Sequence, residues 1–297
     1  MPNRLGQHFL INKSVLQRIA SVVDPQPNET IIEIGPGHGE LTDEIIHHKT
    51  WSMNHKTRLI LIEKDERLAE TLKEKYKNNQ NIEIITGDVL KLLSKLNSSS
   101  VATPSSSLKA NLTNELTSLT SYKVVGNIPY YLTGFLLRTL LELEFPPKEI
   151  IFTIQKEVAE RIIAKPPHMN LLAVSVQYFG TPELLFTIPK SNFNPSPKID
   201  SATIKITTHS KEPSNPKTNE LFFTFVKAGF SHPRKFLISN LRTSSHLTIQ
   251  ASETSQKSTL ENIFKHLNIP LTARAQELTL FQWKYLAKHA IMGVEFP

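Results

Sequence analysis

The segment that decides the fold is Thr30–Thr42, which has the sequence TIIEIGPGHGELT. Its first part, Thr30–Ile34, is mostly β-branched, as expected of a buried strand, and three glycines then alternate with other residues. Glycines at such a turn let the backbone bend tightly and approach a ligand where a side chain would block it. A strand, a glycine turn and a helix in this order are typical of the ligand-binding edge of an open α/β sheet.

Short apolar runs alternate with amphipathic stretches through the first two-thirds of the chain, which predicts an α/β fold with a Rossmann-like sheet and helices on both faces. The predicted strands are Thr30–Ile34, Arg58–Ile62, Ile82–Ile85, Tyr122–Val125, Ile150–Ile154, Leu171–Tyr178 and Ala202–Thr207. The predicted helices are His38–Lys49, Asp65–Lys77, Tyr131–Glu144 and Val158–Ala164.

The rest of the chain is predicted to form a small helical domain after the polar, proline-containing linker His209–Thr218. Its expected helices are Glu220–Phe230, Lys235–Leu241, Thr259–Leu267 and Phe281–Ala290, with a loop over Ser244–Ser258. The predicted domains are therefore residues 1–208 and 219–297. Within the first domain, Asn97–Ser121 is rich in Ser, Thr and Asn and is predicted to be a surface insertion.

Composition excludes several classes of chemistry. The chain has no Cys, which removes disulfides, thiolate catalysis and Cys-based metal sites, and its 11 His residues show no metal-ligand spacing. No secretory signal or membrane-spanning run is present, so we expect a soluble, cytoplasmic protein without a metal. The net charge is +7, and residues 208–297 hold 11 of the 34 basic but only 6 of the 27 acidic residues. This surplus favours a polyanion partner, although a basic domain that is merely soluble is an alternative.

Acidic residues at three consecutive strand ends indicate the kind of cofactor. A dinucleotide fingerprint needs a small residue at position 40, but Glu40 stands there and would repel a pyrophosphate. Gly35 and Gly37 therefore suit a nucleoside without phosphates, namely S-adenosylmethionine; another nucleotide or a plain turn remains open for the glycines alone. Glu63 is placed to accept the ribose hydroxyls and Asp88 to accept the adenine amino group, although either acid also suits a helix cap.

The motif Gly126–Tyr130, GNIPY, follows the fourth predicted strand. The amino nitrogen of adenine is a poor nucleophile because its lone pair is delocalised into the ring. The side-chain oxygen of Asn127 and a backbone carbonyl at Pro129 would accept both amino protons and aim the lone pair at a methyl donor. Tyr130 offers an aromatic face for an extruded base. An ordinary turn is the alternative, but the position after a cofactor-binding strand favours catalysis.

Motifs along nearly the whole chain resemble the ribosomal RNA small-subunit adenine dimethyltransferases, the KsgA family. These motifs are Leu5–Leu10 (LGQHFL), Gln155–Ile162 (QKEVAERI), Phe193–Ser201 (FNPSPKIDS), Arg234–Lys235 with Asn240–Leu241, and Arg274–Leu278 (RAQEL). The resemblance implies a class I methyltransferase sheet with a C-terminal helical RNA-binding domain. His8 stands where the family usually has Asn, and Met169–Val174 departs from the family's usual sequence there.

The resemblance also implies the reaction and the site. Four methyl groups would pass from S-adenosylmethionine to two adjacent adenosines near the 3′ end of small-subunit ribosomal RNA, within an assembling subunit, and the enzyme would be a monomer. The implied catalytic residues are Asn127, Pro129, Tyr130 and Phe193, the last of which would hold the base against Tyr130. The implied cofactor-binding residues are His8, Leu10, Gly35, Gly37, Glu63, Asp88 and Asn127, and the RNA-binding residues are Arg234 and Lys235.

Two other functions remain open on the same scaffold. One is a large-subunit resistance methyltransferase, which the sequence of Arg274–Leu278 disfavours. The other is a non-catalytic ribosome assembly or transcription factor, since fold alone does not decide function. The complete glycine turn, Glu63, Asp88 and Asn127–Tyr130 favour retained catalysis.

Overall fold

A computed structural model of the chain describes residues 8–52, 57–97, 121–209, 216–243 and 253–292. The chain divides into two compact units. The first comprises Met1–Glu160 and Phe179–His209, and the second comprises Arg161–Tyr178 and Ser210–Pro297. Almost all of the predicted insertion Asn97–Ser121, part of the predicted linker and part of the predicted loop over Ser244–Ser258 lie outside the described residues.

The first unit is built on a seven-stranded sheet, which confirms the predicted α/β class. Its strands are β2 (Thr30–Ile34), β3 (Arg58–Glu63), β4 (Ile82–Thr86), β5 (Tyr122–Asn127), β6 (Glu149–Gln155), β7 (Gly180–Ile188) and β9 (Ser201–Thr208). Their order is β4-β3-β2-β5-β6-β9-β7; the first five are parallel and the last two are antiparallel to their neighbours. Every residue of β2 is buried, so both faces of the sheet are covered there.

Helices of the first unit follow the strands. They are α1 (Lys13–Val23), α2 (Glu40–Ile46), α3 (Lys49–Ser52), α4 (Glu66–Tyr76), α5 (Val89–Asn97), α6 (Thr133–Glu142) and α7 (Lys156–Ile162), the last of which ends beyond Glu160. The predicted helix His38–Lys49 is wrong in its length, because α2 ends at Ile46 and α3 begins separately at Lys49. Asp65 caps α4 by accepting hydrogen bonds from the backbone N–H groups of Arg67 and Leu68.

A second, two-stranded ladder joins distant parts of the chain. Strand β1 (Phe9–Leu10) pairs antiparallel with β8 (Phe193–Asn194). The side-chain amide of Asn12 also donates to that of Asn192 at 2.6 Å. The ladder therefore brings the amino-terminal motif LGQHFL and the motif FNPSPKIDS together, although nothing in the sequence pattern predicts this pairing.

A buried lysine fixes the strand that carries the GNIPY motif. Nζ of Lys123, in β5, donates to the carbonyl oxygens of Val23 at 2.8 Å and Asp24 at 3.2 Å. The same ammonium lies 3.2 Å from Oε2 of Glu29 and 3.4 Å from Oε2 of Glu149. A buried charge is tolerated only when it is paired and hydrogen-bonded, and these partners meet that condition.

The strand predicted over Leu171–Tyr178 is wrong. The segment Leu171–Phe179 forms helix α8, which lies in the second unit except for its last residue. The side chain of Asn170 begins the helix by accepting a hydrogen bond from the backbone N–H of Ala173 at 3.0 Å. Its apolar run resembles a buried strand because such runs carry no clear period.

The remaining helices of the second unit are α9 (Pro216–Gly229), α10 (Leu237–Arg242), α11 (Glu253–His266) and α12 (Leu280–Met292). They surround a core that contains the fully buried Trp283. The predicted loop Ser244–Ser258 is wrong from Glu253 onward, where α11 begins. None of the helices in the described part of the chain has the length and apolar character needed to cross a membrane.

Candidate active site

The carboxyl ends of β2, β3, β4 and β5 surround two adjoining cavities of about 250 Å³ and about 60 Å³. Both are lined by Gly35, Glu63 and Pro129. The larger is also lined by Ile34, Ile62, Lys64, Gly87, Asp88, Val89, Leu90, Tyr131 and Leu132. The smaller is also lined by His8, Phe9, Gly37, Asn127, Ile128 and Tyr130. Most of the predicted cofactor and catalytic residues therefore lie around one continuous site.

The glycine turn after β2 shapes the floor of this site. Gly35 has φ +66°, and a Cβ there would meet no atom within 4 Å, so a side chain would extend into open space. Gly37 has φ +62°, and a Cβ there would lie 2.8 Å from Cε1 of Phe9. Both positions therefore require glycine, one for its backbone conformation and the other also because Phe9 packs closely against it.

Glu63, the last residue of β3, is 2% exposed and faces the turn. Its Oε2 accepts a hydrogen bond from the backbone N–H of Gly37 at 3.2 Å, and its Oε1 accepts one from Asp65 N–H at 2.9 Å. Burial raises the pKa of this carboxyl, and the backbone hydrogen bonds oppose the shift. A carboxylate has about four acceptor positions, so these contacts orient the group and leave positions for a ligand.

Asp88 lies beyond the end of β4 and has two partners already. Its Oδ1 accepts from the backbone N–H of Leu90 at 3.0 Å, which caps the start of α5. Its Oδ2 lies 2.9 Å from Nζ of Lys64. The hydrogen bond from Lys64 is the main cause that lowers the pKa of Asp88, so the group is a carboxylate at neutral pH. A cofactor role for Asp88 would therefore combine with helix capping.

The first acid of the glycine motif is structural. Glu33 is buried beneath the turn, and its Oε2 accepts a hydrogen bond from the Thr42 hydroxyl at 2.7 Å. Burial raises the pKa of Glu33 to about 8, and the nearby carboxylates of Glu40 and Asp43 add to the shift. Both of these acids lie in the first turn of α2, so a phosphate at that helix start would meet negative charge.

The side chain of Asn127, at the end of β5, is held by the amino-terminal segment. Its Nδ2 donates to the backbone carbonyl of His8 at 2.7 Å. The His8 ring is bonded through Nδ1 to the carbonyl of Pro195 at 2.7 Å, and since a carbonyl only accepts, Nδ1 carries the proton. With its amide nitrogen engaged, Asn127 has its oxygen as the acceptor for another ligand.

Pro129 and Tyr130, the next functional residues of the GNIPY motif, are also held by hydrogen bonds. The carbonyl of Pro129 accepts from the backbone N–H of Leu132 at 2.9 Å, which leaves one of its two lone-pair positions. The hydroxyl of Tyr130 shares a hydrogen bond with that of Ser201 at 2.9 Å, and burial raises the pKa of Tyr130. The bond to Ser201 restrains the half-buried Tyr130 ring beside Asn127.

Two of the predicted cofactor and catalytic residues do not line either cavity. Leu10 and Phe193 are register partners in the β1–β8 ladder, and both side chains belong to the hydrophobic core of the first unit. Phe193 is 4% exposed, so its ring has no free face for stacking in this arrangement. Their predicted contacts with cofactor and base stay predictions.

The predicted RNA-binding pair lies on the surface of the second unit. Arg234 and Lys235 are both exposed and occupy the turn before α10. The side-chain amide of the buried Asn240 donates to the carbonyls of Gly229 at 2.8 Å and His232 at 3.0 Å, which ties this turn to the helix. The side chains of Arg234 and Lys235 are therefore exposed on a turn whose backbone is held by Asn240.

Sequence reasoning missed several residues that line or support the site. Phe9 and Lys64 line the cavities, and Ser201 holds Tyr130. Phe9 and Ser201 belong to the motifs LGQHFL and FNPSPKIDS, which the sequence analysis identified, but no individual role was predicted for either residue. Lys64 directly follows Glu63, but an exposed lysine after a strand gives no sequence signal of its own.

Comparison with known proteins decides the family. A family model described as "Ribosomal RNA adenine dimethylase" matches residues 2–285. The chain belongs to this family. As a ribosomal RNA adenine dimethylase, it is a methyltransferase that uses S-adenosylmethionine as methyl donor, and the predicted family, enzyme class and cofactor are confirmed.

Relatives of this dimethylase agree over nearly their full length. Ribosomal RNA small subunit methyltransferase A of Dehalococcoides mccartyi is 33% identical over 95% of this chain and 86% of the relative. The protein of the same name from Fusobacterium nucleatum subsp. nucleatum is 32% identical over 96% of each chain.

Solved structures support the fold of the dimethylase. A dimethyladenosine transferase from Plasmodium falciparum matches with a TM-score of 0.73 at 22% identity, over 98% of this chain and 100% of the other. The 23S rRNA methyltransferase ErmE matches with a TM-score of 0.67 at 21% identity, over 95% and 99% of the two chains. At these identities the matches show a shared fold alone.

Proposed function

We propose that this protein transfers methyl groups from S-adenosylmethionine to the exocyclic amines of two adjacent adenosines near the 3′ end of small-subunit ribosomal RNA, giving dimethyladenosine. It acts as a monomer in the cytoplasm, on a small ribosomal subunit during assembly. Family membership and the names of the relatives in Dehalococcoides mccartyi and Fusobacterium nucleatum support the substrate.

The observation that carries this proposal is the fixed amide of Asn127. Its Nδ2 is engaged by the carbonyl of His8 at 2.7 Å, so its oxygen is directed to a different partner. An amino group needs an acceptor of this kind, since both of its hydrogens are donors. A bound adenine whose amine meets Asn127 would therefore be selected over a base that presents a carbonyl at the same place.

The residues of the cleft fit S-adenosylmethionine. The open space at Gly35 and the apolar side chains of Ile62, Val89 and Leu90 provide room for an uncharged nucleoside. The Glu63 carboxylate would accept the ribose hydroxyls, and the acidic first turn of α2 opposes a phosphate. When bound, the cofactor supplies an electrophilic methyl group on a sulfonium.

The chain's part in the reaction is to make the amine nucleophilic. The oxygen of Asn127 and the remaining lone pair of the Pro129 carbonyl accept the two amino protons. This draws the nitrogen toward tetrahedral geometry, so that its lone pair leaves the ring and points away from both acceptors. No strong base is needed, because the methylated ammonium releases its proton readily.

Tyr130 positions the base for this step. Its hydroxyl is held by Ser201 at 2.9 Å, and the ring provides an aromatic surface at the smaller cavity. An adenine taken out of its stack loses stacking energy, which an aromatic side chain partly restores.

The second unit, with Arg234 and Lys235 exposed on one turn, provides contacts to RNA phosphates.

A methylation assay on purified ribosomal subunits tests the proposal. Unmethylated small subunits and large subunits are incubated separately with the protein and S-adenosylmethionine labelled in its methyl group, and the labelled nucleotides are then mapped. We expect dimethyladenosine at two adjacent positions of the small-subunit RNA and none in the large subunit. Monomethyladenosine is expected at early times, since four transfers are needed.

Two other results would contradict the proposal. Dimethyladenosine confined to large-subunit RNA would identify a resistance methyltransferase. Binding of small subunits without any methylation, together with no binding of S-adenosylmethionine in calorimetry, would identify a non-catalytic assembly factor.

A further inference from the structure

Two large aromatic side chains are exposed directly after the catalytic motif. Tyr131 is 71% exposed and Phe135 is 61% exposed. Tyr131 lies in a short 3₁₀ turn, Tyr130–Leu132, that leads into α6, and Phe135 lies in the first turn of α6. Side chains four residues apart in a helical segment are neighbours on the same side. The two exposed rings therefore lie on the same side of this helical stretch.

The core does not require these rings. Helix α6 already has a complete apolar face, whose residues Leu136, Leu137, Leu140 and Leu141 are each at most 1% exposed. Tyr131 and Phe135 lie on the other side, where polar residues are usual. Adjacent exposed aromatic residues are uncommon on a surface that has no binding role.

This surface begins at the mouth of the active site. Tyr131 lines the larger cavity together with Gly35 and Glu63, and it directly follows Tyr130. One turn beyond Phe135, the exposed Arg138 pairs with Glu142 at 2.8 Å. Exposed pairs of this kind are weak, so the guanidinium is available to a phosphate. We name Tyr131, Phe135 and Arg138 the aromatic stripe.

We propose that the aromatic stripe binds the nucleotide next to the target adenosine in the RNA strand: its base stacks on Tyr131 and Phe135, and a neighbouring phosphate binds Arg138. This inference rests on the proposed function, because it takes the substrate to be RNA. Sites for unpaired nucleic acid combine aromatic side chains with positive charge in this way. A strand that enters the cleft with one base extruded must continue past its mouth, and the stripe starts there.

Steady-state methylation of small ribosomal subunits by Tyr131→Ala and Phe135→Ala tests the contact. Each variant should lower kcat/KM for the first methyl transfer by about 5- to 150-fold, the range for losing one base–aromatic stack. Tyr131→Phe and Phe135→Tyr should each lower kcat/KM far less than the alanine variant at the same position, since both keep a ring. Phe145→Ala is the matched control: Phe145 is an exposed aromatic residue beyond the far end of α6. It should behave as wild type.

A second measurement asks whether the partner is the neighbouring base. Small subunits are reconstituted with RNA that carries an abasic nucleotide beside the target adenosine. Wild type should lose on this substrate at least the factor that Phe135→Ala loses on intact RNA. Phe135→Ala should lose less than wild type does, because only the stack on Tyr131 is left for it to lose. Affinity for S-adenosylmethionine, measured by calorimetry, should be unchanged in Phe135→Ala, which does not line the cavities.

The outcomes separate this inference from the proposed function. Wild-type turnover in both alanine variants would overturn the stripe while the proposed function stands. If Phe135→Ala lowers kcat/KM relative to wild type by the same factor on intact and on abasic RNA, the stripe is also overturned, because the rings would then contact another part of the particle. If the wild-type protein does not methylate small subunits, the proposed function is wrong, and the proposal for the aromatic stripe is wrong with it.

Discussion

Replacement of Asn127 by alanine is the most direct test of how the amine is activated. Two things are lost together: the acceptor oxygen proposed for the adenine amine and the hydrogen bond from Nδ2 to the His8 carbonyl at 2.7 Å. The hydrogen bond contributes about 1 kcal/mol to stability, so the protein should remain folded. RNA affinity should persist as well, because phosphate contacts dominate it.

Turnover should fall much further than stability. Loss of one preorganised polar contact to the reacting group costs roughly 100- to 1,000-fold in kcat, or about 2.7–4 kcal/mol of activation free energy. Asn127→Asp is the informative partner variant. It keeps an acceptor oxygen, but its second oxygen would face the His8 carbonyl where an N–H now donates. We expect its turnover to be low too, because the acceptor is no longer held in place.

Single-turnover methyl transfer with saturating RNA and cofactor gives the chemical step, and mass spectrometry of the nucleosides gives the methylation state. Circular dichroism and RNA binding are measured in parallel to confirm that the variants are folded and bind substrate. An Asn127→Ala enzyme that forms dimethyladenosine at the wild-type rate would refute this mechanism, whichever RNA is the substrate.

Four further outcomes are expected. Glu63→Ala should weaken S-adenosylmethionine binding in calorimetry by roughly 1.5–3 kcal/mol, and unchanged affinity would remove Glu63 from the cofactor site. Burial raises the pKa of Glu33 from an ordinary 4.5 to about 8 in the folded protein. Between these pH values the folded protein keeps a proton that the unfolded chain releases. The free energy of unfolding therefore falls as pH rises from about 4.5 to about 8. Glu33→Gln should therefore gain stability relative to wild type from pH 5 to pH 8 in denaturant titrations; a pH-independent difference would show that Glu33 ionises normally. Phe193→Leu should lower kcat/KM if the ring stacks on the target base as predicted, whereas unchanged kcat/KM would show that Phe193 serves only in the hydrophobic core. Removal of both charges at Arg234 and Lys235 should reduce the salt dependence of RNA binding by nearly two units of slope, and an unchanged slope would mean that neither contacts phosphate.

Much of the first unit was predictable because its signals are local. Buried parallel strands are mostly apolar, and three of them lead to the residue that the edge of the sheet requires: a glycine after β2, Glu63 at the end of β3 and Asn127 at the end of β5. Since the carboxyl ends of parallel strands share one edge of a sheet, three strand ends are enough to predict one site.

The parts that sequence reasoning missed depend on contacts between distant segments. The ladder of β1 and β8 has two residues per strand, too few for any period to show. The partner of the Asn127 amide is a backbone carbonyl, which every residue possesses and no side-chain pattern reveals. Leu171–Phe179 is an apolar run whose helical state depends on the cap from Asn170 and on packing within the second unit.

The ladder between β1 and β8 also has a consequence for the order in which the enzyme is completed during its own synthesis. His8, whose carbonyl holds Asn127, and Pro195, which holds the His8 ring, are 187 residues apart. At 5–20 residues per second, a ribosome needs roughly 10 to 40 s to synthesise the chain between them. Throughout that interval the nascent chain contains the glycine turn and, in its later part, Asn127, but not the strand that secures the amino-terminal segment. The amide proposed to recognise adenine is therefore held in place only after most of the sheet has emerged, and a nascent fragment that already carries the proposed cofactor residues still lacks this support for Asn127.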